Sequence, residues 1–258
     1  MICINESVRT PESLEPLHET FRGAIPFQHV VLDDAFPPEM LRGVVAEFAQ
    51  IRHNSKYYDA TTQGKYSCDD WDLFPPNICT FISYLNNGSF VRIVANITGI
   101  AELTSDPYLQ GGGIHETLPG GFLKMHTDFN FHRMLKLDRR INAILFLTEG
   151  WQPSWGGELV LANKAMTTQV RVEPLFNRLV EFNTNDHSFH GQPDPHAFPE
   201  GNSRKCIAMY YYSNGRVENE IAPHKLGTSY RGRYSSDLPV RTRITERARL
   251  WLGLERPR

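Results

Sequence analysis

One feature limits the fold of this chain more than any other: from about residue 108 onward, apolar and polar residues alternate. In residues 141–147, one face of such a strand takes Ile141, Ala143, Leu145 and Leu147, and the other takes Asn142, Ile144 and Phe146. A mostly apolar run follows at 158–161 and shorter alternating runs at 170–173 and 179–183, with turn residues between them. Short strands at close intervals predict a double-stranded β-helix, or jelly roll, in a mostly β protein with flanking helices.

The first hundred residues have a different pattern, which predicts helices around that core. Residues 1–24 are polar and indicate an arm or a short first helix, and residues 27–32 indicate a strand. Prolines at 37–38 and 75–76 each precede apolar residues at helical spacing. A third helix is expected to be capped by Ser89 and to end at Gly99. These helices are expected to cover the outer face of a sheet.

Residues 52–74 lack any hydrophobic period, and we interpret them as a surface loop. The alternative is a lid over a substrate site, because mobile loops on a rigid scaffold often carry specificity. The aromatic residues of this segment that would then contact a substrate are Tyr57, Tyr58, Tyr66 and Trp71.

Length and charge restrict the function further. We expect the 258 residues to form one domain, with residues 1–107 as support and lid, 108–213 as the core, and 214–258 as a basic extension. Helical spacing within the extension predicts a terminal helix that packs on the body or forms a homodimer contact. A net charge of −2 gives no attraction to nucleic acid or membranes. Cysteines without CxxC spacing, and no signal-peptide core, predict a cytoplasmic protein.

A metal site is indicated by His126-Thr-Asp128. Alternate positions on a strand point to one side, so the imidazole and the carboxylate can bind the same ion. One more histidine completes a triad on one face of the metal, which leaves the opposite positions open, as in non-haem Fe(II) oxygenases. His187 and His190 are both available, but they have opposite parity, so only one can face inward on a regular strand. Alone, His126 is more simply a hydrogen-bonded core residue.

Arg204 begins a later predicted strand. The order of His126, Asp128, a later histidine and Arg204 resembles that of the Fe(II)/2-oxoglutarate-dependent oxygenases, in particular the prolyl-4-hydroxylase-like branch, and the resemblance covers roughly residues 108–213. The resemblance implies His190 as the third ligand, and Arg204 as the partner of the distal carboxylate of 2-oxoglutarate. It also implies Fe(II), with 2-oxoglutarate and O2 as co-substrates. Some prolyl hydroxylases have a tyrosine where this chain has Phe146, so the second donor to that carboxylate stays open. Asn142, on the same strand face, is a candidate contact in the co-substrate pocket.

The activity implied by the resemblance is that of a 2-oxoglutarate-dependent dioxygenase, which hydroxylates an unactivated C–H bond and releases succinate and CO2. We expect a small-molecule substrate such as an amino acid, a sugar or a natural product. The alternative is a prolyl or other residue of a peptide or protein. An inactive jelly-roll binding protein is opposed by the complete triad with Arg204. A cupin-type enzyme is opposed by the lack of closely spaced histidines with a glutamate.

Overall fold

The structure, a computed structural model, describes residues 4–52, 56–58, 64–220 and 223–230. Its α-helices are α1 (Pro11–Gly23), α2 (Pro38–Ile51), α3 (Pro76–Asn86) and α4 (Gly88–Thr98). Its strands are β1 (His29–Leu32), β2 (Lys56–Tyr58), β3 (Lys65–Cys68), β4 (Thr104–Ser105), β5 (Gly113–Thr117), β6 (Leu123–Thr127), β7 (Phe131–His132), β8 (Leu137–Phe146), β9 (Leu159–Ala162), β10 (Gln169–Val172), β11 (Leu179–Asn183), β12 (Phe189–Gln192), β13 (Arg204–Ser213) and β14 (Ser229–Tyr230). Short 3-10 turns lie at Glu6–Val8, Trp71–Leu73, Pro153–Trp155 and Glu218–Glu220.

The strands form two antiparallel sheets. The major sheet has the order β1-β11-β8-β13-β5-β3-β2, with β4 paired to β13 and β7 paired to β8. The minor sheet has the order β10-β9-β12-β6-β14. An apolar cluster that includes Phe146, Leu161 and Val180 joins the inner faces of the two sheets. This arrangement confirms the predicted jelly roll.

The helices pack on the outer face of the major sheet, and β8 shows why. Its outward residues Ile141, Ala143 and Leu145 join one buried cluster with side chains from α2, α3 and α4. Its inward residues, including Asn142 and Ile144, line the space between the sheets. Burying an aliphatic side chain contributes roughly 1.5–3 kcal/mol, so the strand's alternation decides which face receives the helices. The predicted division of these residues between two faces is confirmed.

The boundaries of the helices follow local sequence. The helices α2 and α3 begin with a proline in the first turn, as predicted. The predicted cap Ser89 is wrong: helix α4 is capped by Asn87, whose side chain accepts hydrogen bonds from the backbone N–H groups of Ser89 (2.8 Å) and Phe90 (3.2 Å). The helix ends at Gly99, whose φ of 73° lies in the left-handed region that favours glycine.

The interpretation of residues 52–74 as a loop without strands is wrong. Strands β2 and β3 pair with each other and extend the major sheet beyond β5. The hydrophobic pattern that would predict strand β3 is weak, because Lys65-Tyr-Ser-Cys68 has little apolar character. The conformation of this segment is therefore decided by its backbone pairing with β5. Gly113 permits this pairing, since a Cβ at that position would overlap the carbonyl oxygen of Cys68.

None of the helices in the described ranges combines the length and the hydropathy needed to cross a bilayer. The cysteines Cys68, Cys79 and Cys206 are free thiols, as expected. The predicted helix in the basic extension lies outside the described residues.

Candidate metal centre and cavity

Two neighbouring strands of the minor sheet bring the metal-site histidines together. In the antiparallel pairing of β6 with β12, His126 lies directly opposite His190, and the centres of their rings are 4.3 Å apart. Asp128 follows the end of β6 by one residue, so that its carboxylate lies on the same side as His126. The strand register therefore assembles the three side chains.

The donor atoms of these residues form a compact group. One ligand atom from each of His126, Asp128 and His190 lies within 4.8 Å of the others. His126 Nε2 is 3.5 Å from Asp128 Oδ1, and His190 Nε2 is 3.2 Å from Asp128 Oδ2. All three residues are buried, each less than a tenth exposed. Two imidazoles and one carboxylate are the donor set that non-haem Fe(II) sites use, so the residues fit that ion.

Backbone carbonyls orient both imidazoles. His126 Nδ1 lies 2.8 Å from the carbonyl oxygen of Lys124, and His190 Nδ1 lies 3.1 Å from that of Ser188. A carbonyl can only accept, so each Nδ1 donates its hydrogen and each Nε2 keeps a lone pair for a metal. Burial, and then the neighbouring His190, lower the pKa of His126, which favours the neutral form that a ligand needs.

His187 and His190 occupy different positions relative to Asp128. His187 is exposed, and its backbone N–H donates to Asn185 Oδ1 in the turn before β12. His190 lies on β12 itself and faces the cavity. Of the two, the structure brings only His190 to Asp128.

Behind the carboxylate of Asp128 lies a buried polar network. Asp128 Oδ2 accepts hydrogen bonds from Arg139 Nη2 (2.7 Å) and Asn142 Nδ2 (2.8 Å). Asn142 Oδ1 in turn accepts from Arg139 Nε (2.9 Å) and from Thr184 Oγ1 (3.1 Å). Burial alone would raise the pKa of Asp128, but the charge of Arg139, helped by the two histidines, holds that pKa well below its usual value.

The side-chain amide of Asn142, which was predicted to contact the co-substrate, is held in place by hydrogen bonds. Asn142 lines the cavity, as a co-substrate contact would. Its oxygen and its nitrogen, however, are both engaged by Asp128, Arg139 and Thr184. The guanidinium of Arg139 is itself held between two rings, 3.3 Å from the centre of Tyr210 and 4.4 Å from that of Phe129. Sequence patterns do not single out Arg139, because nothing local distinguishes it from a surface arginine.

The metal residues open into a cavity of about 210 Å³ between the two sheets. Arg204, the first residue of β13 as predicted, lines this cavity and is 4% exposed. Its Nε donates to the carbonyl oxygen of Gly157 (2.8 Å), and its guanidinium carbon lies 4.8 Å from the centre of the Phe146 ring. Desolvation lowers the pKa of Arg204, which marks a cation held away from water.

Further polar side chains that sequence reasoning had not assigned to the site line the same cavity, among them Lys65, His115 and Tyr230. Lys65 comes from β3, and its Nζ lies 3.2 Å from His115 Nδ1 on β5. Tyr230 comes from β14, which pairs with β6, and its ring centre is 5.4 Å from that of His126. Sequence patterns do not reveal them, because β3 has little apolar character and β14 is a strand of two residues.

The proposed substrate aromatics are distributed differently. Tyr66 is adjacent to Lys65 on β3 and so points to the opposite face of the sheet, where the guanidinium of Arg52 lies 5.8 Å from its ring centre. Trp71 Nε1 donates to the carbonyl oxygen of Pro107. Neither residue lines the cavity. Tyr57 and Tyr58 lie on β2, and their side chains fall outside the description.

Comparisons with known proteins agree with this geometry. Residues 112–212 match the family model of the 2OG-Fe(II) oxygenase superfamily. A sequence comparison with curated proteins gives no match. Among solved structures, a prolyl-4-hydroxylase from Pseudomonas putida is 18% identical, with a TM-score of 0.54, over 77% of this chain and 100% of that one.

Two other solved structures have a similar fold. One is a prolyl hydroxylase from Trichoplax adhaerens in complex with a hypoxia inducible factor peptide fragment: 16% identity, TM-score 0.58, covering 78% of this chain and 91% of that one. The other is HygX from Streptomyces hygroscopicus, with nickel, 2-oxoglutarate and hygromycin B bound: 12% identity, TM-score 0.55, covering 86% of this chain and 98% of that one. At these identities, the likeness concerns the fold.

Proposed function

We propose that this chain, whose residues 112–212 match the 2OG-Fe(II) oxygenase model, is a dioxygenase that hydroxylates an unactivated C–H bond of a small molecule. The observation that carries the proposal is the meeting of His126, Asp128, His190 and Arg204 in one buried cavity. When bound, Fe(II) supplies the oxidative chemistry of the superfamily, in which 2-oxoglutarate and O2 are consumed, succinate and CO2 are released, and C–H becomes C–OH.

The residues of the chain have distinct tasks in this proposal. His126 and His190 present Nε2 to the metal, and Asp128 presents its carboxylate. Arg139 keeps that carboxylate ionised and oriented. Arg204 binds the distal carboxylate of 2-oxoglutarate, because a guanidinium matches a carboxylate with two parallel hydrogen bonds.

Apolar side chains keep water out of the same space. Ile144 and Leu159 line the cavity, and Phe146 lies beneath Arg204. In a cavity from which water is excluded, charged contacts are stronger than in bulk solvent. The pairing of a carboxylate with Arg204 therefore contributes more here than it would on the surface.

The size and lining of the cavity favour a small substrate. About 210 Å³ is less than the roughly 300–1,000 Å³ of pockets that enclose drug-sized ligands. The polar group of Tyr230 on its wall suits a compact polar molecule. The alternative, a prolyl or other residue of a peptide, is favoured by the likeness in fold to prolyl hydroxylases.

The test has a binding step and a turnover step. Under anaerobic conditions, the Fe(II) protein is titrated with 2-oxoglutarate, and the metal-to-ligand charge-transfer band is recorded. With O2 admitted, succinate release is measured against panels of amino acids, sugars and proline-containing peptides, and products are screened by mass for a gain of one oxygen. A gain only in peptides would select the alternative, and wild-type protein without any 2-oxoglutarate binding would contradict the proposal.

Variants test the metal ligands separately. His126→Ala, Asp128→Ala and His190→Ala should each abolish Fe(II)-dependent turnover and weaken metal binding in calorimetry with Co(II), while the far-ultraviolet circular dichroism stays that of the parent. His187→Ala is the matched control and should bind the metal as the parent does. Metal binding that depends on His187 and not on His190 would refute the ligand assignment.

A further inference from the structure

Three strands of the major sheet place polar side chains in one row across the cavity wall. Arg204 on β13 is paired with Thr117 on β5, and Thr117 is paired with Lys65 on β3. All three residues line the cavity, so their side chains share one face of the sheet. Directly opposed residues have Cβ atoms about 5 Å apart, which puts the two ends of this row about 10 Å apart. Side chains as long as those of arginine and lysine can both reach one small anion across that distance.

His115 holds the ammonium group of Lys65 at this wall. His115 is two residues before Thr117 on β5 and faces the same cavity. An ammonium only donates, so the 3.2 Å contact is a hydrogen bond from Lys65 Nζ to His115 Nδ1. Burial, and then the charge of Lys65, keep the pKa of His115 well below its usual value, so the imidazole stays a neutral acceptor.

The positive charge of Arg204 disfavours the protonated form of Lys65. Desolvation lowers the pKa of Lys65 to about 8, and the positive charge of Arg204 contributes to that lowering. Desolvation also lowers the pKa of Arg204. Like charges brought together away from water raise the free energy of the protein, whereas a carboxylate between them is attracted to both. This arrangement is therefore suited to an anion.

The position beneath Arg204 is occupied by an apolar ring. That ring belongs to Phe146, which faces the guanidinium. Arg204 Nε is already used by the carbonyl oxygen of Gly157, and Nη1 lies 3.6 Å from Cys206 Sγ. Further partners for a carboxylate bound at Arg204 are available across the sheet: the hydroxyl of Thr117 and, at the far end of the row, the ammonium of Lys65. Given the 2-oxoglutarate site of the proposed function, we propose that Lys65, positioned by His115, is the second cation that binds the distal carboxylate of 2-oxoglutarate.

The experiment is a titration of the anaerobic Fe(II) protein with two 2-oxo acids, followed by the charge-transfer band. Lys65→Met removes the charge and keeps an unbranched chain; we expect it to bind 2-oxoglutarate about 10–100-fold more weakly. 2-Oxobutanoate has no distal carboxylate and should bind to the parent and the variant equally. Lys65→Arg should keep affinity for 2-oxoglutarate within a few-fold of the parent.

The matched control is Lys205→Met. Lys205 is adjacent to Arg204 on β13 but faces the other side of the sheet, where its Nζ lies 3.6 Å from Glu116 Oε1. It should leave both titrations unchanged. Unaltered 2-oxoglutarate binding by Lys65→Met would overturn the inference, and so would equal weakening for both acids, which would mean general damage to the site. These results concern Lys65 alone, whereas wild-type protein that fails to bind 2-oxoglutarate would overturn the proposed function itself.

Discussion

A buried carboxyl far from the metal gives the chain a pH dependence that can be calculated. Glu181 lies on β11, on the helix-facing side of the major sheet, and is 0% exposed. Within the described part of the chain, neither of its carboxylate oxygens has a hydrogen-bond partner. Desolvation raises its pKa from 4.5 to about 8. At neutral pH, Glu181 is therefore protonated in the folded protein and ionised in the unfolded chain.

The sign of the effect follows from proton uptake. Between pH 4.5 and pH 8, the folded state binds more protons at Glu181 than the unfolded state does, so the free energy of unfolding falls as the pH rises. The decrease is about 1.4 kcal/mol per pH unit, and it stops above pH 8. At pH 7 the free energy of unfolding is therefore about 3 kcal/mol lower than it would be if the side chain at position 181 stayed neutral in both states.

Glu181→Gln tests this magnitude, because glutamine has the same shape and no titration. We expect the variant to exceed the parent in free energy of unfolding by about 3 kcal/mol at pH 7 and by about 1 kcal/mol at pH 5.5. The assay is urea denaturation of both proteins across that range. Glu200→Gln, at an exposed position, is the control and should follow the parent. Parallel pH profiles for Glu181→Gln and the parent would refute the reasoning.

Three further changes probe the metal centre and the scaffold. Asn142→Ala removes a hydrogen bond that orients the carboxylate of Asp128, and it should weaken Co(II) binding about 10–100-fold in calorimetry. A loss confined to 2-oxoglutarate binding would instead support a direct contact between Asn142 and the co-substrate. Gly120→Ala should lower the free energy of unfolding by roughly 1–2 kcal/mol, because Gly120 has a positive φ. Gly113→Ala should lower it further, because Gly113 also has a positive φ and its new Cβ would overlap the carbonyl oxygen of Cys68. Equal losses for the two variants would contradict this. Asn87→Ala should lower the free energy of unfolding, measured by thermal denaturation, by about 1 kcal/mol. An unchanged free energy of unfolding would contradict the capping role of Asn87.

Local sequence was sufficient wherever a period or a short spacing carries the information. The alternation through β8 predicted which residues face the helices, since a strand turns each successive side chain to the opposite face. The same rule put His126 and Asp128 on one side of the chain. Pro38 and Pro76 marked the starts of two helices, because proline fits the first turn, where its missing N–H is not needed.

The sequence was insufficient wherever partners come from distant strands. Parity showed that only one of His187 and His190 could be a ligand, but the pairing of β12 with β6 brought His190 to the metal residues. Arg139, on β8 of the major sheet, reaches Asp128 because both residues line the cavity between the sheets. Lys65 enters the cavity because β3 pairs with β5, although its own segment has almost no hydrophobic signal. Register between strands depends on the whole sheet, so only the tertiary structure could decide which charges share the cavity.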